Sequence, residues 1–340
     1  MLILKNKVRS FPIFVLWLFV CGFSILASCL PSPLQADVQS DSKPVKKRQL
    51  VVSHADQQGV LQLFRMNEEG LQKKQLTHSA RNCRMPACSP DGNMLVYSRE
   101  TERGISLWLL SLDGKKHRSL VPAGFNLLPS WLPDSRHVVW MKVQPERNPQ
   151  QGNRQDPASR SQIHICDTHS GETRRLFSDP VQIQFSNSMP SVSSDGKQVA
   201  FVSNRNGPFR VWVSDLEGKN ARPVSSTSKK DPVLDLPIEQ KVPCWSPDGK
   251  WIAHWEGVEM IHMSPFTGIN NPRRDQQIQS TFQVWVVSRD GKKRRKVGPG
   301  DDPTWSPDGH VSRAFPDPER GGPKIMIETP GGEKQLPIVP

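Results

Sequence analysis

The polar and apolar positions of the chain alternate, or run apolar, over short segments that end in turn sequences. Residues 94–98, 198–203 and 251–255 show this pattern. Because successive side chains of a strand point to opposite faces, such segments predict β-strands. The turn sequences between them contain Pro, Asp and Gly, which fix φ, hydrogen-bond the backbone and accept positive φ, respectively. No period of 3.6 residues is visible, so we predict an all-β chain of hairpin-connected strands.

One turn sequence, Trp-Ser-Pro-Asp-Gly with close variants, recurs five times about 40 to 60 residues apart, a period typical of propellers and solenoids. Each copy leads into an apolar strand, an aromatic strand with a second Gly turn, and a basic strand. Four strands per repeat predict one propeller blade. We assign a structural role to the turn residues, which are Asp91, Gly92, Asp134, Asp195, Gly196, Asp248, Gly249, Asp308 and Gly309.

These repeats resemble the blades of TolB-type β-propellers, which read Pro-x-Trp-Ser-Pro-Asp-Gly, a strand, an aromatic strand, Asp-Gly and a basic strand. The resemblance covers residues 49–338 and implies an all-β, six-bladed propeller with four-stranded antiparallel blades. Residues 30–48 leave no room for the α/β domain that precedes the propeller in TolB, so we do not expect that domain here. The role of TolB itself therefore does not follow from the resemblance.

The first blade lacks the turn sequence. Residues 49–53, 60–66 and 74–77 match the second, third and fourth strands of a blade. Because an open propeller would expose strand edges, we expect the segment near 335–338 either to complete the last blade or to complement the first.

The chain opens with three cations and an apolar run, as in an export signal. The run ends in Leu-Ala-Ser-Cys29, which resembles the bacterial lipobox and implies lipidation of Cys29. A simple cleaved signal or an uncleaved anchor is the alternative, although the run is short for a membrane span of about 20 residues. We predict a lipoprotein-type signal peptide over 1–29, a disordered tether over 30–48, and a periplasmic protein that is anchored, with the outer membrane favoured, or secreted.

Three segments, 145–160, 225–241 and 257–281, are longer than a minimal blade requires. Links between blades and links between second and third strands leave the same face of a propeller, so all three project on one side. Insertions on one face of a repeat protein often form its binding face, whereas neutral variation in loop length is the alternative. The residues that we place on this candidate face are Arg147, Arg154, Arg160, Trp255, His262, Phe266, Arg273 and Arg274.

The formal charge is +12, with many cations in the leader, the tether and the fourth strands. Charged rim strands protect sheet edges from pairing, and attraction to anionic envelope polymers or lipid headgroups is the alternative. Nucleic acid is not an expected partner of an exported protein. The repeated tryptophans are expected to pack between blades, with Trp255 as the exception because it leads into an insertion.

Four cysteines follow the leader, and none has Cys-x-x-Cys spacing. Two of them stand at or beside the repeated Trp position and suit small core residues. The sequence leaves open whether a disulfide forms within the set, which is Cys83, Cys88, Cys166 and Cys244.

Motifs of serine hydrolases, zinc proteases, nucleotide-binding loops and dinucleotide-binding folds are missing from the sequence. We therefore expect no catalytic residue, no metal and no cofactor. The favoured hypothesis is a monomeric, lipid-anchored scaffold that binds an envelope protein, a peptidoglycan-associated partner or an envelope polymer. A polysaccharide lyase or lectin using His254 and His262, and a homologue that binds nothing, are the alternatives.

Overall fold

The computed structural model describes residues 27–29, 49–67, 72–122, 124–145, 159–224, 230–231, 235–258, 282–306, 308–317, 322–329 and 332–336. Almost all regular structure in these ranges is β-strand. None of the described segments forms a helix with the length and apolar character needed to cross a membrane. The apolar run of the predicted signal peptide lies outside the described residues, apart from Ala27.

The described strands form four four-stranded sheets and one eight-stranded sheet. If the eight-stranded sheet is divided at its one parallel bridge, the strands group into antiparallel units of four, in which each strand pairs with the next one along the chain. Unit 1 contains β1 (Ala27–Cys29), β2 (Gln49–Ala55), β3 (Leu61–Asn67) and β4 (Lys74–Gln75). Unit 2 contains β5 (Cys83–Cys88), β6 (Met94–Thr101), β7 (Gly104–Ser111) and β8 (His117–Val121). Unit 3 contains β9 (Phe125–Trp131), β10 (His137–Pro145), β11 (Ser159–Asp167) and β12 (Thr173–Arg175).

The second half of the chain repeats this order. Unit 4 contains β13 (Asn187–Val192), β14 (Gln198–Ser203), β15 (Arg210–Asp215) and β16 (Arg222–Pro223). Unit 5 contains β17 (Ile238–Trp245), β18 (Trp251–Val258), β19 (Gln283–Ser288) and β20 (Arg294–Pro299). Unit 6 contains β21 (Asp301–Trp305), β22 (Val311–Asp317), β23 (Gly322–Thr329) and β24 (Gly332–Leu336). Units 2 and 3 are joined by one parallel bridge between Ile105 and Phe125.

The turn between the first and second strands is closed by side chains of the repeated sequence. In unit 5 the Ser246 hydroxyl donates to Asp248 Oδ1 over 2.6 Å and accepts from the backbone N–H of Trp251 over 2.9 Å. Gly249 adopts φ +66°, in the left-handed region. Equivalent serine–aspartate bonds form at Asp91, Asp195 and Asp308. These turns lie at one end of the units, which we call the turn end.

The opposite end is the insertion end, where second strands finish, third strands begin and the links between units run. All three long segments of the sequence connect strands at this end. The strand ends Pro145 and Ser159 flank the segment in unit 3, and Val258 and Gln283 flank the segment in unit 5. The third segment joins units 4 and 5.

Five of the first strands contain a β-bulge at an equivalent position. At each bulge a residue other than glycine has positive φ and is followed by proline. The proline lacks an N–H, which an edge strand tolerates. Four of these five first strands lie at a sheet edge, and the fifth, β9, meets β7 at a single parallel bridge. The bulge residues, with φ between +42° and +53°, are Met85, Leu128, Met189, Val242 and Asp302.

Apolar side chains from both faces of the strands fill the spaces between consecutive units. Phe201 and Trp212 of unit 4 pack with Ile163 and Phe177 of unit 3, and the ring centroids of Phe177 and Phe201 are 4.9 Å apart. On the other face of unit 4, Val211 and its neighbours pack against unit 5. Each internal unit is therefore buried on both faces.

The C-terminal strand β24 pairs with β23 and completes the last unit, which was one of the two expected arrangements. Unit 1 instead takes its first strand from β1, whose Ala27 and Cys29 pair with Val51 and Gln49 of β2. The last three residues of the predicted signal peptide thus supply a strand to unit 1.

The structure answers the question about disulfides within the cysteine set. Cys83, Cys166 and Cys244 are free thiols, whereas Cys88 is disulfide-bonded. No disulfide therefore joins two members of the set. Cys83 and Cys88 stand at opposite ends of β5, and burial raises the pKa of the Cys83 thiol.

Candidate functional site

A cluster of polar and charged side chains is buried at the insertion end of unit 5, where β17 begins and β18 ends. The two strands lead directly from and into the segments 225–237 and 259–281. Buried ionisable groups are costly unless they are paired, so a cluster of them at one place marks a candidate functional site. Its members, each less than a tenth exposed, are Glu239, Gln240, Lys241, His254 and Glu256.

Strand register brings these residues together. Gln240 pairs with Glu256 across β17 and β18, and His254 stands two residues earlier on the same face as Glu256. That face packs against unit 4, because the N–H of Val211 donates to Gln240 Oε1 over 3.0 Å. The backbone N–H of Gln240 also donates to the carbonyl of Phe209 over 3.0 Å. Gln240 therefore fixes the cluster to the neighbouring unit.

Glu256 is the acceptor at the centre of the cluster. Its Oε1 accepts a hydrogen bond from Gln240 Nε2 over 2.7 Å and lies 3.1 Å from His254 Nε2. Its Oε2 forms an ion pair with Arg294, whose guanidinium stacks 3.7 Å from the Trp285 ring centroid. Burial alone raises the pKa of Glu256, but the contacts with His254, Gln240 and Arg294 outweigh it and hold the pKa below its ordinary value.

A second pair, Lys241 and Glu239, lies on the adjoining part of β17. Lys241 Nζ is 3.3 Å from Glu239 Oε2 and 5.2 Å from the ring centroid of Phe209. Burial lowers the pKa of Lys241 although the charge of Glu239 opposes this shift. Arg210 donates to the Ile238 carbonyl, and burial lowers its pKa against the opposing charges of Glu256 and Glu239. Each carboxylate of the cluster thus faces a cation.

Two adjacent carboxylates, Asp301 and Asp302, stand at the start of β21 in the neighbouring unit. Burial and then the charge of Asp302 raise the pKa of Asp301, and burial raises that of Asp302. Asp301 Oδ1 has no hydrogen-bond partner among the described residues. Asp302 occupies the bulge with φ +42°. The charged forms of these two carboxyl groups are therefore unfavourable in the folded protein.

The structure corrects one residue of the candidate binding face. Trp255 was expected to lead outward into the insertion, but it is 7% exposed. Its ring packs against Phe282 at a tilt of 36° with centroids 4.8 Å apart, in the core between units 5 and 6. The reason is strand parity, since Trp255 shares a face of β18 with Ala253, and that face is also covered. Trp255 belongs to the core like the other repeated tryptophans.

Most of the remaining residues of the candidate face lie outside the residues that the structure describes. Arg160 belongs to β11, where its backbone pairs with Gln144. His254, the histidine considered for lyase chemistry, is fully buried in the cluster and presents no ring atom to solvent. Outside the described residues lie Arg147, Arg154, His262, Phe266, Arg273 and Arg274.

The repeated turn residues lie at the opposite end, away from the cluster. Asp134 accepts from the N–H groups of Arg136 and His137 at 2.9 Å each, and Ser135 takes the place of glycine with φ +53°. Asp195 Oδ2 also accepts a hydrogen bond from Arg289 Nη1 of unit 5 over 2.8 Å. Each of these carboxylates thus has a local or inter-unit contact.

The buried charged cluster was not predicted from the sequence. The run Glu-Gln-Lys at 239–241 stands just before the Val-Pro of the bulge, where the other copies carry mainly neutral residues. Three consecutive polar residues in a strand that enters the core could have indicated this cluster when the repeats were compared. The contribution of Glu256, sixteen positions later, depends on register between strands.

No protein-family model matches the chain. Among solved structures, TolB from Acinetobacter baumannii superposes with a TM-score of 0.60 at 19% identity, over 82% of this chain and 59% of that one. An oligogalacturonate lyase in complex with manganese gives a TM-score of 0.56 at 16% identity, over 84% and 73%. A puromycin-hydrolysing peptidase of Mycobacterium tuberculosis gives 0.54 at 16%, over 87% and 44%.

The fold is an all-β propeller of the kind seen in TolB. The chain spans about three fifths of the A. baumannii TolB chain. At these identities the likeness concerns fold alone, because binding proteins and enzymes share it. In the part of the chain that the structure describes, no three His, Cys, Asp or Glu side chains are grouped so as to hold a metal ion.

Proposed function

We propose that the protein is an exported, lipid-anchored, six-bladed propeller that acts as a non-catalytic scaffold and binds an envelope protein through its insertion end. The observation that carries the proposal is the buried charged cluster around Glu256, placed where two of the three insertions leave the strands. Lipidation of Cys29 would hold the scaffold at the membrane, and the cleavage that precedes it would remove Ala27 and Ser28 of β1 from unit 1.

The cluster supports binding by fixing the bases of the insertions. Glu256 lies two residues before the end of β18, and Glu239 is the second residue of β17. A network of buried hydrogen bonds and ion pairs permits one arrangement of these strand ends, since a broken contact leaves a charge unpaired. A rigid base lowers the conformational entropy lost when the inserted segments bind a partner.

The test is cross-linking in intact envelopes followed by affinity capture and mass spectrometry. Four forms are compared: the full-length protein, Cys29→Ala, and deletions of 148–157 and 262–279, which leave the flanking strands intact. We expect one recurring envelope protein with the full-length form, and its loss in at least one deletion that keeps the wild-type melting temperature. Mass spectrometry of the Cys29 peptide tests lipidation separately.

Two results would contradict the scaffold. If both deletions fold and retain every captured protein, the insertion end is not the binding face. If saccharide fragments are recovered and no protein is, a carbohydrate-active propeller replaces the scaffold. That second candidate is supported by the likeness to the oligogalacturonate lyase fold, but complete burial of His254 removes one of its two candidate histidines from ligand contact. Activity on oligosaccharides that disappears with a chelator would support it.

A further inference from the structure

Arg205 occupies an aromatic site at the insertion end of unit 4, in the link between β14 and β15. Its guanidinium carbon lies 4.7 Å from the ring centroid of Trp212 and 5.2 Å from that of Phe201. The ring of Phe185, on the link that enters unit 4, stands 6.0 Å away. Cation–π contacts of this kind hold a guanidinium in place but leave its edge available for hydrogen bonds.

Two neutral acceptors fix the direction of this edge. Arg205 Nε donates to Ser203 Oγ over 3.1 Å, and Nη2 donates to Asn187 Oδ1 over 3.0 Å. A guanidinium has five N–H donors, so three have no acceptor among the described residues. The group is oriented before any ligand arrives, which lowers the entropic cost of binding.

Arg205 also lacks a counter-charge. No carboxylate pairs with it in the part of the chain that the structure describes, and burial lowers its pKa to about 10. Two other arginines that stack on tryptophan rings differ: Arg294 pairs with Glu256, and Arg289 pairs with Asp195. A partly desolvated cation without an anion is unfavourable in the free protein, and an incoming carboxylate would relieve this.

We propose that Arg205 is an anion-binding point that receives one carboxylate from an acidic segment of the protein partner. This inference rests on the proposed scaffold function and gives the chemistry of its partner. The site suits a single anion, since the neighbouring Arg210 already donates to Ile238 and Lys241 is paired with Glu239. A polyuronate carries a row of carboxylates and would pair best with several free cations, whereas Arg210 and Lys241 are already engaged. The net charge of +12 attracts acidic partners at long range.

The experiment follows the Arg205 Nε–H resonance in full-length protein labelled with ¹⁵N-arginine and assigned with Arg205→Lys. The probe is a short peptide with three glutamates, and the matched peptide has glutamines in their place. We expect the resonance to move saturably with the glutamate peptide at concentrations up to about 10 mM and to stay in place with the glutamine peptide. A role in packing alone would not make this resonance respond to carboxylate.

Affinity measured by fluorescence anisotropy gives the second readout. Arg205→Met keeps the apolar stack and removes the charge, and we expect it to weaken binding of the glutamate peptide by about tenfold or more. Arg205→Lys keeps the charge without the fork, and we expect an intermediate loss. Arg136→Met is the matched control, because Arg136 pairs with Asp167 at the turn end and should leave affinity unchanged.

Three results would overturn the proposal: a resonance that does not move, an equal loss in Arg136→Met, or tighter binding of trigalacturonate than of the peptide. These outcomes are independent of the envelope capture. Partner capture that survives in Arg205→Met would refute the anion-binding point and leave the scaffold standing. A responsive Arg205 with no captured protein would refute the scaffold.

Discussion

Replacing Glu256 by Gln tests whether the buried cluster depends on charge. The substitution keeps the size of the side chain and an acceptor for Gln240, but it removes the negative charge that faces Arg294. Breaking a buried ion pair by removing one partner costs about 3–5 kcal/mol. The Arg294 side chain is 25% exposed, so water recovers part of this loss, and we expect a decrease of about 2–3 kcal/mol in the free energy of unfolding.

The pH dependence follows from the lowered pKa of Glu256. A carboxyl group with a folded pKa below its unfolded value stabilises the fold above that unfolded value, which is near 4.5, and the stabilisation disappears as pH falls through the folded pKa. The difference between wild type and Glu256→Gln should therefore be largest near pH 7 and should shrink below about pH 4.5. Urea unfolding followed by tryptophan fluorescence at several pH values measures it.

Two controls separate charge from general damage. Glu172→Gln changes an exposed carboxylate in the turn before β12 and should alter unfolding by less than about 0.5 kcal/mol. In a double-mutant cycle, Arg294→Met should cost much less in the Glu256→Gln background than in wild type. Equal stability of Glu256→Gln and wild type at pH 7, or a difference that is constant down to pH 3, would refute the assigned role of the charge.

Three further changes give independent checks by urea unfolding. Asn126→Ala should cost about 2 kcal/mol, because this buried amide joins two units through Trp140 Nε1 and the Ile105 carbonyl. Gly249→Ala should cost more than Gly171→Ala, since both have positive φ but a Cβ at Gly249 would lie 2.7 Å from Ser194 Oγ. Asp302→Asn should stabilise the fold at pH 8 and have little effect at pH 3.5, because burial raises the pKa of this carboxyl and its charged form opposes folding.

Strands and turns were predictable because their determinants are local. The hydroxyl of Ser246 and the carboxylate of Asp248 act within five residues, and positive φ at Gly249 completes the turn. The three matched strands of unit 1 also followed from comparison with the other blades. The first strand of that unit could not be predicted, since β1 comes from residues whose composition resembles a signal peptide and lies across a long link from β2.

Exposure in an internal unit could not be deduced from alternation. Ile252 and Ala253 point to opposite faces of β18, and both are completely buried because units 4 and 6 cover these faces. The same parity placed Trp255 in the core, contrary to its assignment to the binding face. Arg205 was missed for a related reason, since its aromatic neighbours come from three separate strands or links.

The bulges explain how a charged cluster and an apolar core share one strand. In β17 the step from Lys241 to Cys244 takes three residues, while the opposite step on β18 takes two. The extra residue changes the parity of β17, so Trp245 lies opposite Ile252 and joins the core against unit 4, whereas Lys241 lies opposite Trp255. A regular strand would place Trp245 on the same face as Lys241 and Glu239. Positive φ at Val242 is costly for a β-branched residue. The bulge that requires it lets β17 carry charged residues at the insertion end and apolar residues along the rest of the strand.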